Sequence, residues 1–149
     1  MFRIERAEAE DIESVSALAK NIYLKYNSNV DTKEGINNVL SFINADNMRL
    51  RFFMEGSLIL TAKNDDNAII GMLEITNYSH ISLFFVDDKY FKSGIATQLF
   101  EESKNILQSD KYTVKSSSYA LEFYKKLGFV QLYNDIQVEN GVHFYYMLY

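Results

Sequence analysis

The sequence contains no cysteine, no proline and no tryptophan, and only two of its 149 residues are histidine. Without cysteine, a disulfide, a thiolate metal site and a cysteine nucleophile are all excluded. His80 and His143 are too few for a histidine-rich metal site, and no carboxylates stand at ligand spacing around them. We therefore expect a protein that holds no metal ion.

Long apolar runs are also missing, since none reaches the roughly 18 to 20 residues that a membrane-spanning helix needs. Residues 1–6 lack the basic-then-apolar pattern of a secretory signal. Together these features predict a cytoplasmic protein that does not act at a membrane.

Positive charge is scarce as well, because 15 Lys and Arg residues stand against 20 Asp and Glu residues, giving a net charge of −5. An acidic surface repels phosphate backbones, so nucleic acid is a poor main partner. A cationic amine would be attracted instead, although net charge alone does not identify one. Aromatic residues are abundant, with 11 Tyr and 11 Phe, and we assign them to the core and a dimer contact.

The length and the 48% hydrophobic content predict one globular domain that spans residues 1–149. Apolar residues at helical spacing predict a first helix over residues 12–26 and a second over residues 36–43. Asp31 and Glu34 resemble a capping box at the start of the second helix. Residues 48–55, 58–63 and 68–75 have the composition of strands.

The second half begins with a continuous apolar strand over residues 80–86, of the kind that is buried on both faces. A helix follows Gly94, a short strand covers residues 112–115, and another helix runs from Ser117 to a glycine stop at Gly128. A hairpin of residues 130–138 and 142–149 closes the chain. The order βααβββαβαββ predicts an α/β (α+β) fold with a mixed central sheet of about six to seven strands and helices on both faces.

The most informative segment is the passage from the residue 80–86 strand into the helix whose first turn holds Gly94, Ala96 and Thr97. The first backbone N–H groups of a helix lack internal partners, and the helix dipole adds partial positive charge there. Small residues would let a diphosphate approach these groups closely. The alternative is a tight turn that simply requires a flexible residue.

Two motifs in this half are similar to those of the GNAT superfamily of N-acetyltransferases. The phosphate-loop pattern Arg/Gln-x-x-Gly-x-Gly/Ala reads Phe91-Lys92-Ser93-Gly94-Ile95-Ala96, and the pattern Asn-x-x-Ala-x-x-x-Tyr-x-x-x-Gly-Phe reads Ser117 to Phe129. The strings Val114-Lys115-Ser116-Ser117 and Asn140-Gly141, with Met147, resemble a bacterial branch of that superfamily. The resemblance implies the GNAT-type acyl-CoA N-acyltransferase fold.

The chain departs from the family pattern at three positions. Phe91 stands where the family usually has Arg or Gln, Lys92 where it often has Gly, and Ser117 where it has Asn. Backbone amides do most of the phosphate holding in this fold, and Lys92 offers a compensating charge. Phe91 nevertheless favours an alternative function, a catalytically weak or inactive acyl-CoA-binding or sensor module, whereas the retained Tyr124 argues against it.

The resemblance implies transfer of an acetyl group from acetyl-CoA to a primary amine of a small molecule or peptide, by direct attack in a ternary complex. It also implies a homodimer. The residues implied at the cofactor are Phe84, Phe85, Val86, Phe91, Lys92, Ser93, Gly94, Ile95, Ala96, Thr97, Ser117, Ala120, Phe123 and Tyr124. Those implied at the acceptor side are Tyr23, Tyr26 and Asn27. Ser117 either bonds the pantetheine arm or caps its own helix.

Tyr124 aligns with the family tyrosine whose hydroxyl meets the cofactor sulfur, so the resemblance implies that it is the general acid. His80 occupies the position where some superfamily members carry a catalytic glutamate, and an imidazole suits amine deprotonation. The alternative is that His80 is a structural histidine at the start of a strand. Glu74 is the other candidate base if burial raises its pKa, or else the exposed member of an alternating strand. His143 is interpreted as structural or superficial.

Overall fold

The elements of the protein follow one another in the order βαααβββαβαβββ, and the computed structural model describes all 149 residues. The strands are β1 (Phe2–Arg6), β2 (Leu58–Asn64), β3 (Ile69–Thr76), β4 (His80–Val86), β5 (Thr113–Ser116), β6 (Val130–Gln131), β7 (Gln137–Glu139) and β8 (Val142–Leu148). The helices are α1 (Ile12–Ile22), α2 (Lys33–Ile43), α3 (Ala45–Met54), α4 (Ile95–Leu107) and α5 (Leu121–Leu127). A π-helical turn, Tyr23–Asn27, extends α1.

All strands join one eight-stranded sheet of order β1-β2-β3-β4-β5-β8-β6, with β7 paired to β8. Every pairing is antiparallel except that of β4 with β5. The sheet is therefore mixed, as the sequence predicts, with eight strands rather than six to seven.

The core lies on both faces of the sheet because neighbouring strand residues point in opposite directions. Leu60 and Leu73 pack beneath α4 and α5, whereas Ile59 and Met72 pack beneath α1, α2 and α3. This arrangement confirms the predicted helices on both faces.

Residues 48–55, predicted to be a strand, are mostly helical and belong to α3. The Asn44 side chain caps this helix by accepting from the Asn47 N–H at 2.8 Å. Met48 and Arg51, three residues apart on one helix face, are buried, while Leu50 and Phe53 remain exposed. Because these exposed residues are apolar, the segment has the apolar composition of a strand although it forms a helix, and this explains the wrong prediction.

Two further predictions are wrong, one for the start of α2 and one for residues 130–138. The cap of α2 is Thr32, whose hydroxyl accepts from the Gly35 N–H at 3.1 Å, so Asp31 and Glu34 do not form the capping box. Residues 130–138 are two short strands, β6 and β7, separated by a loop.

No helix combines the length and apolar character needed to cross a bilayer.

The pairing of β4 with β5 is very short. Only two residue pairs match, His80 with Thr113 and Ile81 with Val114. On its other side β4 pairs with β3, and a bulge at Ser82 shifts that register. Beyond Ile81, then, β4 has no partner strand on its β5 side. Only Ile81 and Leu83 of this strand are buried, so the prediction of burial on both faces is wrong.

Candidate active site

Two cavities flank the point where β4 and β5 separate. The larger measures about 760 Å³ and the smaller about 530 Å³. Both are lined by Asn27, Phe84, Phe85, Ala120 and Tyr124. A ligand that reaches from one cavity to the other therefore passes the end of β4 and the start of α5.

The smaller cavity lies at the N-terminus of α4. Lys92 and Gly94 adopt left-handed backbone conformations, with φ values of 62° and 87°, and direct the loop into the helix. The first helical bond runs from the Gln98 N–H to the Gly94 carbonyl, which leaves the preceding N–H groups without helical acceptors. No acidic residue occupies the first turn, and the space beside the Gly94 Cα is open. These features suit an anion.

This cavity brings together nearly all the residues predicted to bind the cofactor. Those that line it are Phe84, Phe85, Val86, Phe91, Lys92, Ser93, Gly94, Ile95, Ala96, Thr97, Ala120, Phe123 and Tyr124. Ser117 is the exception, because it lines the larger cavity. Its hydroxyl accepts from the Ala120 N–H at 3.2 Å and from the Asn27 amide at 2.7 Å, in the turn that precedes α5.

Phe91 packs against two tyrosines at the wall of the smaller cavity. Its ring centroid lies 5.3 Å from that of Tyr26 and 6.4 Å from that of Tyr119, and the two tyrosine rings stack at 5.1 Å. The Tyr26 hydroxyl donates to Asp88 at 3.0 Å. Phe91 thus leaves the space beside Gly94 open. Tyr26, predicted at the acceptor side, lies in this aromatic cluster.

The larger cavity is bounded by β4 and β5, by α2, and by the β7–β8 hairpin. The hairpin turn docks on the start of α2, because the Thr32 N–H donates to the Gly141 carbonyl at 3.0 Å and the Asn38 amide donates to the Asn140 carbonyl at 3.2 Å. Asn140 and Gly141 both have positive φ, as the predicted two-residue turn requires.

Tyr124 is 5% exposed and lines both cavities. Its ring packs against Phe84, Phe123 and Phe129. Burial raises the pKa of its hydroxyl above the usual value, so the group stays protonated at neutral pH. The hydroxyl has no hydrogen-bond partner within the protein and is free to donate to a ligand.

His80 lines the larger cavity at the start of β4. Its Nδ1 lies 2.7 Å from the Thr113 hydroxyl, which fixes the ring. Burial, and next the positive charge of Lys115, lower the pKa of His80 below its usual value. The imidazole is therefore neutral at neutral pH and able to accept a proton.

Glu74 lies outside both cavities, in the core. Its side chain is fully buried, and its two carboxylate oxygens accept from the Arg51 guanidinium at 2.7 and 2.9 Å. The expectation of an exposed strand residue is wrong, and the alternative of a lone carboxylate base does not fit this pair. Arg51 comes from α3, the helix that the sequence analysis took for a strand.

A polar network of Tyr23, Asp31 and His143 lines the larger cavity. The Tyr23 hydroxyl donates to Asp31 Oδ2 at 2.6 Å, and the His143 backbone N–H donates to Asp31 Oδ1 at 2.8 Å. Burial first, and the Asp31 carboxylate next, raise the pKa of Tyr23. Sequence reasoning missed Asp31, which it assigned to a cap, and His143, which it placed in a structural or surface position.

Comparisons with known proteins agree on one family. The model of the acetyltransferase (GNAT) domain matches residues 27–149. A GCN5-related N-acetyltransferase from Rhodopseudomonas palustris has a TM-score of 0.77 at 19% identity, over 98% of this chain and 93% of that one. No protein in the curated set matches the sequence.

Two further solved structures have this fold and hold a cofactor. The PaiA N-acetyltransferase of Thermoplasma acidophilum, in complex with coenzyme A, has a TM-score of 0.74 at 18% identity, over 99% of this chain and 98% of that one. A phosphinothricin acetyltransferase of Sinorhizobium meliloti, in complex with AcCoA, has a TM-score of 0.71 at 15% identity, over 99% of this chain and 87% of that one.

Proposed function

Because the chain belongs to the GNAT acetyltransferase family, we propose that it transfers an acetyl group from acetyl-CoA to a primary amine of a small molecule or peptide. The observation that carries the proposal is the separation of β4 from β5 after Ile81 and Val114, with Tyr124 lining the cavities on both sides. One cavity suits the cofactor and the other the acceptor.

The residues of the smaller cavity fit coenzyme A. The N–H groups of Ile95, Ala96 and Thr97 offer donors to a diphosphate, and Lys92 adds a positive charge. The unpartnered edge of β4 at Phe84, Phe85 and Val86 offers backbone groups to an extended pantetheine arm, in the way that a peptide adds to a sheet. The coenzyme A in the Thermoplasma structure supports this use of the fold.

Acetyl-CoA supplies a thioester, and the acceptor amine attacks it directly in a ternary complex. The amine attacks in its neutral form, a carbon–nitrogen bond forms, the carbon–sulfur bond breaks, and one proton leaves the nitrogen. His80, neutral and facing the larger cavity, accepts this proton directly or through water. Tyr124, kept protonated by burial, donates a proton to the leaving thiolate.

A catalytically weak or inactive acyl-CoA-binding module is the second candidate. Phe91 favours it, since the aromatic cluster with Tyr26 and Tyr119 replaces the polar side chain usual in the family. The open space beside Gly94 and the free Tyr124 hydroxyl favour the enzyme.

We further propose a cytoplasmic homodimer. The exposed apolar residues of the C-terminal segment, Val130, Leu132, Tyr133 and Val138, support a contact there. Light scattering after size exclusion at micromolar concentration checks this assembly, and a monomer throughout would refute it.

Thiol release from acetyl-CoA, measured with a panel of amines, tests the enzyme. The Tyr124→Phe variant should bind acetyl-CoA as the wild type does, while kcat falls by about 10²-fold because the proton donor is lost. Tyr78→Phe, which alters an exposed tyrosine in the β3–β4 turn, is the matched control and should keep full activity. Full rates in Tyr124→Phe would disprove the proton-donor role. A calorimetric titration without heat for any CoA species would disprove the enzyme and the binding module alike.

A further inference from the structure

The larger cavity has an excess of negative charge on one wall. Three carboxylates, Asp31, Glu34 and Glu139, and one ammonium group, Lys115, line it. Lys115 and Glu139 pair with each other at 3.2 Å. Asp31 and Glu34 have no Lys or Arg partner, and the nearest basic group is the His143 ring, whose Nδ1 lies 3.7 Å from Asp31 Oδ1.

Asp31 is held in place by hydrogen bonds and not by an ion pair with Lys or Arg. Its side chain is 3% exposed, and its hydrogen-bond donors, the Tyr23 hydroxyl and the His143 backbone N–H, are both neutral. Each carboxylate oxygen can accept about two hydrogen bonds and each accepts one here, so acceptor capacity remains. The His143 Nδ1, buried and without a hydrogen-bond partner, lies 3.7 Å from Asp31 Oδ1. A buried, oriented carboxylate with spare lone pairs favours a cationic donor from a ligand.

The same cavity also has an apolar lining. Val39 and Phe42 of α2, and Val142 and Phe144 of β8, line it. Phe42 is held by the Arg51 guanidinium, 3.7 Å from its ring centroid. Aromatic and aliphatic side chains of this kind pack well against methylene groups.

We propose that the acceptor carries a second positive charge and belongs to the diamines and polyamines. The amine that receives the acetyl group lies at the Tyr124 end, and the distal ammonium group lies at Asp31 and Glu34. This inference rests on the proposed function and specifies its acceptor. A carboxylate at the distal position would meet two like charges, so the same wall rejects aminocarboxylates.

Putrescine, butylamine and γ-aminobutyrate share a four-carbon chain and differ in the distal group, so their kcat/KM values test the proposal. Putrescine should exceed butylamine by about tenfold, as a charge-assisted hydrogen bond implies, and γ-aminobutyrate should be the poorest. Added salt should reduce the advantage of putrescine. Equal values for putrescine and butylamine, or a preference for γ-aminobutyrate, would overturn the proposal.

Variants test whether Asp31 and Glu34 cause the preference for putrescine over butylamine. Glu34→Gln, at an exposed position without hydrogen bonds to other side chains, should cut the putrescine-to-butylamine ratio by about threefold or more while the affinity for CoA stays unchanged. Asp31→Asn keeps one acceptor oxygen, for Tyr23, while its NH2 group faces the His143 backbone N–H, and it should cut the ratio further. Glu10→Gln, an exposed carboxylate without an ion pair, is the matched control and should keep the ratio. An unchanged ratio in both wall variants would refute the assignment.

Calorimetry on the protein saturated with free CoA distinguishes a failure of the proposed cation site from a failure of the proposed acetyltransferase activity. Binding of putrescine, but not butylamine, with no turnover of any amine would support the cation site and refute the acetyltransferase. Turnover of butylamine as fast as putrescine, with no preference in binding, would support the enzyme and refute the cation site.

Discussion

At the residue scale, the environment of His80 gives the imidazole a defined protonation state. The Thr113 hydroxyl fixes Nδ1, and burial together with Lys115 disfavours the charged ring. A base must be unprotonated before the amine arrives, and a lowered pKa provides this at neutral pH. The same environment sets the pH range in which the proposed base works.

We expect the acid limb of the kcat/KM profile to lie below the usual histidine pKa of about 6.5. The sign follows from the shift: a lowered pKa keeps His80 neutral as pH falls, and the rate drops only when pH passes below that pKa. His80→Gln should lower kcat/KM by about 10²-fold and remove this limb. His143→Gln, a change at the other histidine of the cavity, should leave the limb in place. A limb that persisted in His80→Gln would show that another group titrates.

The partners of some side chains could not be predicted from the sequence. Glu74 stands among apolar neighbours, and this pattern alone fits either an exposed strand residue or a perturbed acid. Its ion pair with Arg51 depends on α3, so a wrong element assignment concealed the partner. Tyr124 and the loop of residues 91–96 could be proposed as site residues because local motifs carry them, whereas Asp31 and His143 meet only across 112 residues of chain.

At the element scale, the larger cavity depends on the contact between α2 and the β7–β8 hairpin. A Cβ atom at Gly35 would lie 2.1 Å from the Gly141 carbonyl oxygen, so α2 can approach the turn only with glycine at this position. Backbone atoms form both sides of the contact, and neither side has a flexible end that can move away.

Gly35→Ala should therefore displace the hairpin from α2 and destabilise the protein by about 1–3 kcal/mol. We expect KM for the amine to rise while the dissociation constant of acetyl-CoA stays near the wild-type value, since the smaller cavity lies elsewhere. Steady-state kinetics and a thermal shift with acetyl-CoA measure the two effects. Asn37→Ala, an exposed position on the same helix, controls for helix propensity. Equal weakening for both ligands would contradict the assignment of the two cavities.

Most elements were predictable because their periodicity is local. The strands β2, β3, β4 and β5 and the helices α1, α2 and α4 lie close to the predicted positions. Helix α3 was missed because its buried residues are few and its exposed face carries Leu50, Phe53 and Met54. The break between β6 and β7 depends on pairing with different parts of β8, which no local pattern reveals.

At the scale of the whole molecule, the sheet consists of two antiparallel parts. Strands β1 to β4 form one part and β5 to β8 the other, and only two residue pairs join them. Helix α5 and the Asn27–Ser117 hydrogen bond also cross the junction. A ligand that lies along the unpartnered edge of β4 would add contacts between the two parts.

We therefore expect acetyl-CoA to slow amide hydrogen exchange across β4, β5 and α5 as well as in the loop of residues 92–97. At a hundredfold excess over its dissociation constant, a ligand stabilises the folded state by about 2.7 kcal/mol. Adenosine 3′,5′-bisphosphate, which lacks the pantetheine arm, should protect the loop but not the junction, because only an arm in the strand gap joins the two parts. Protection of the junction by both ligands would mean that the effect comes from binding at residues 92–97. The separation between β4 and β5 would then not be supported as the pantetheine site.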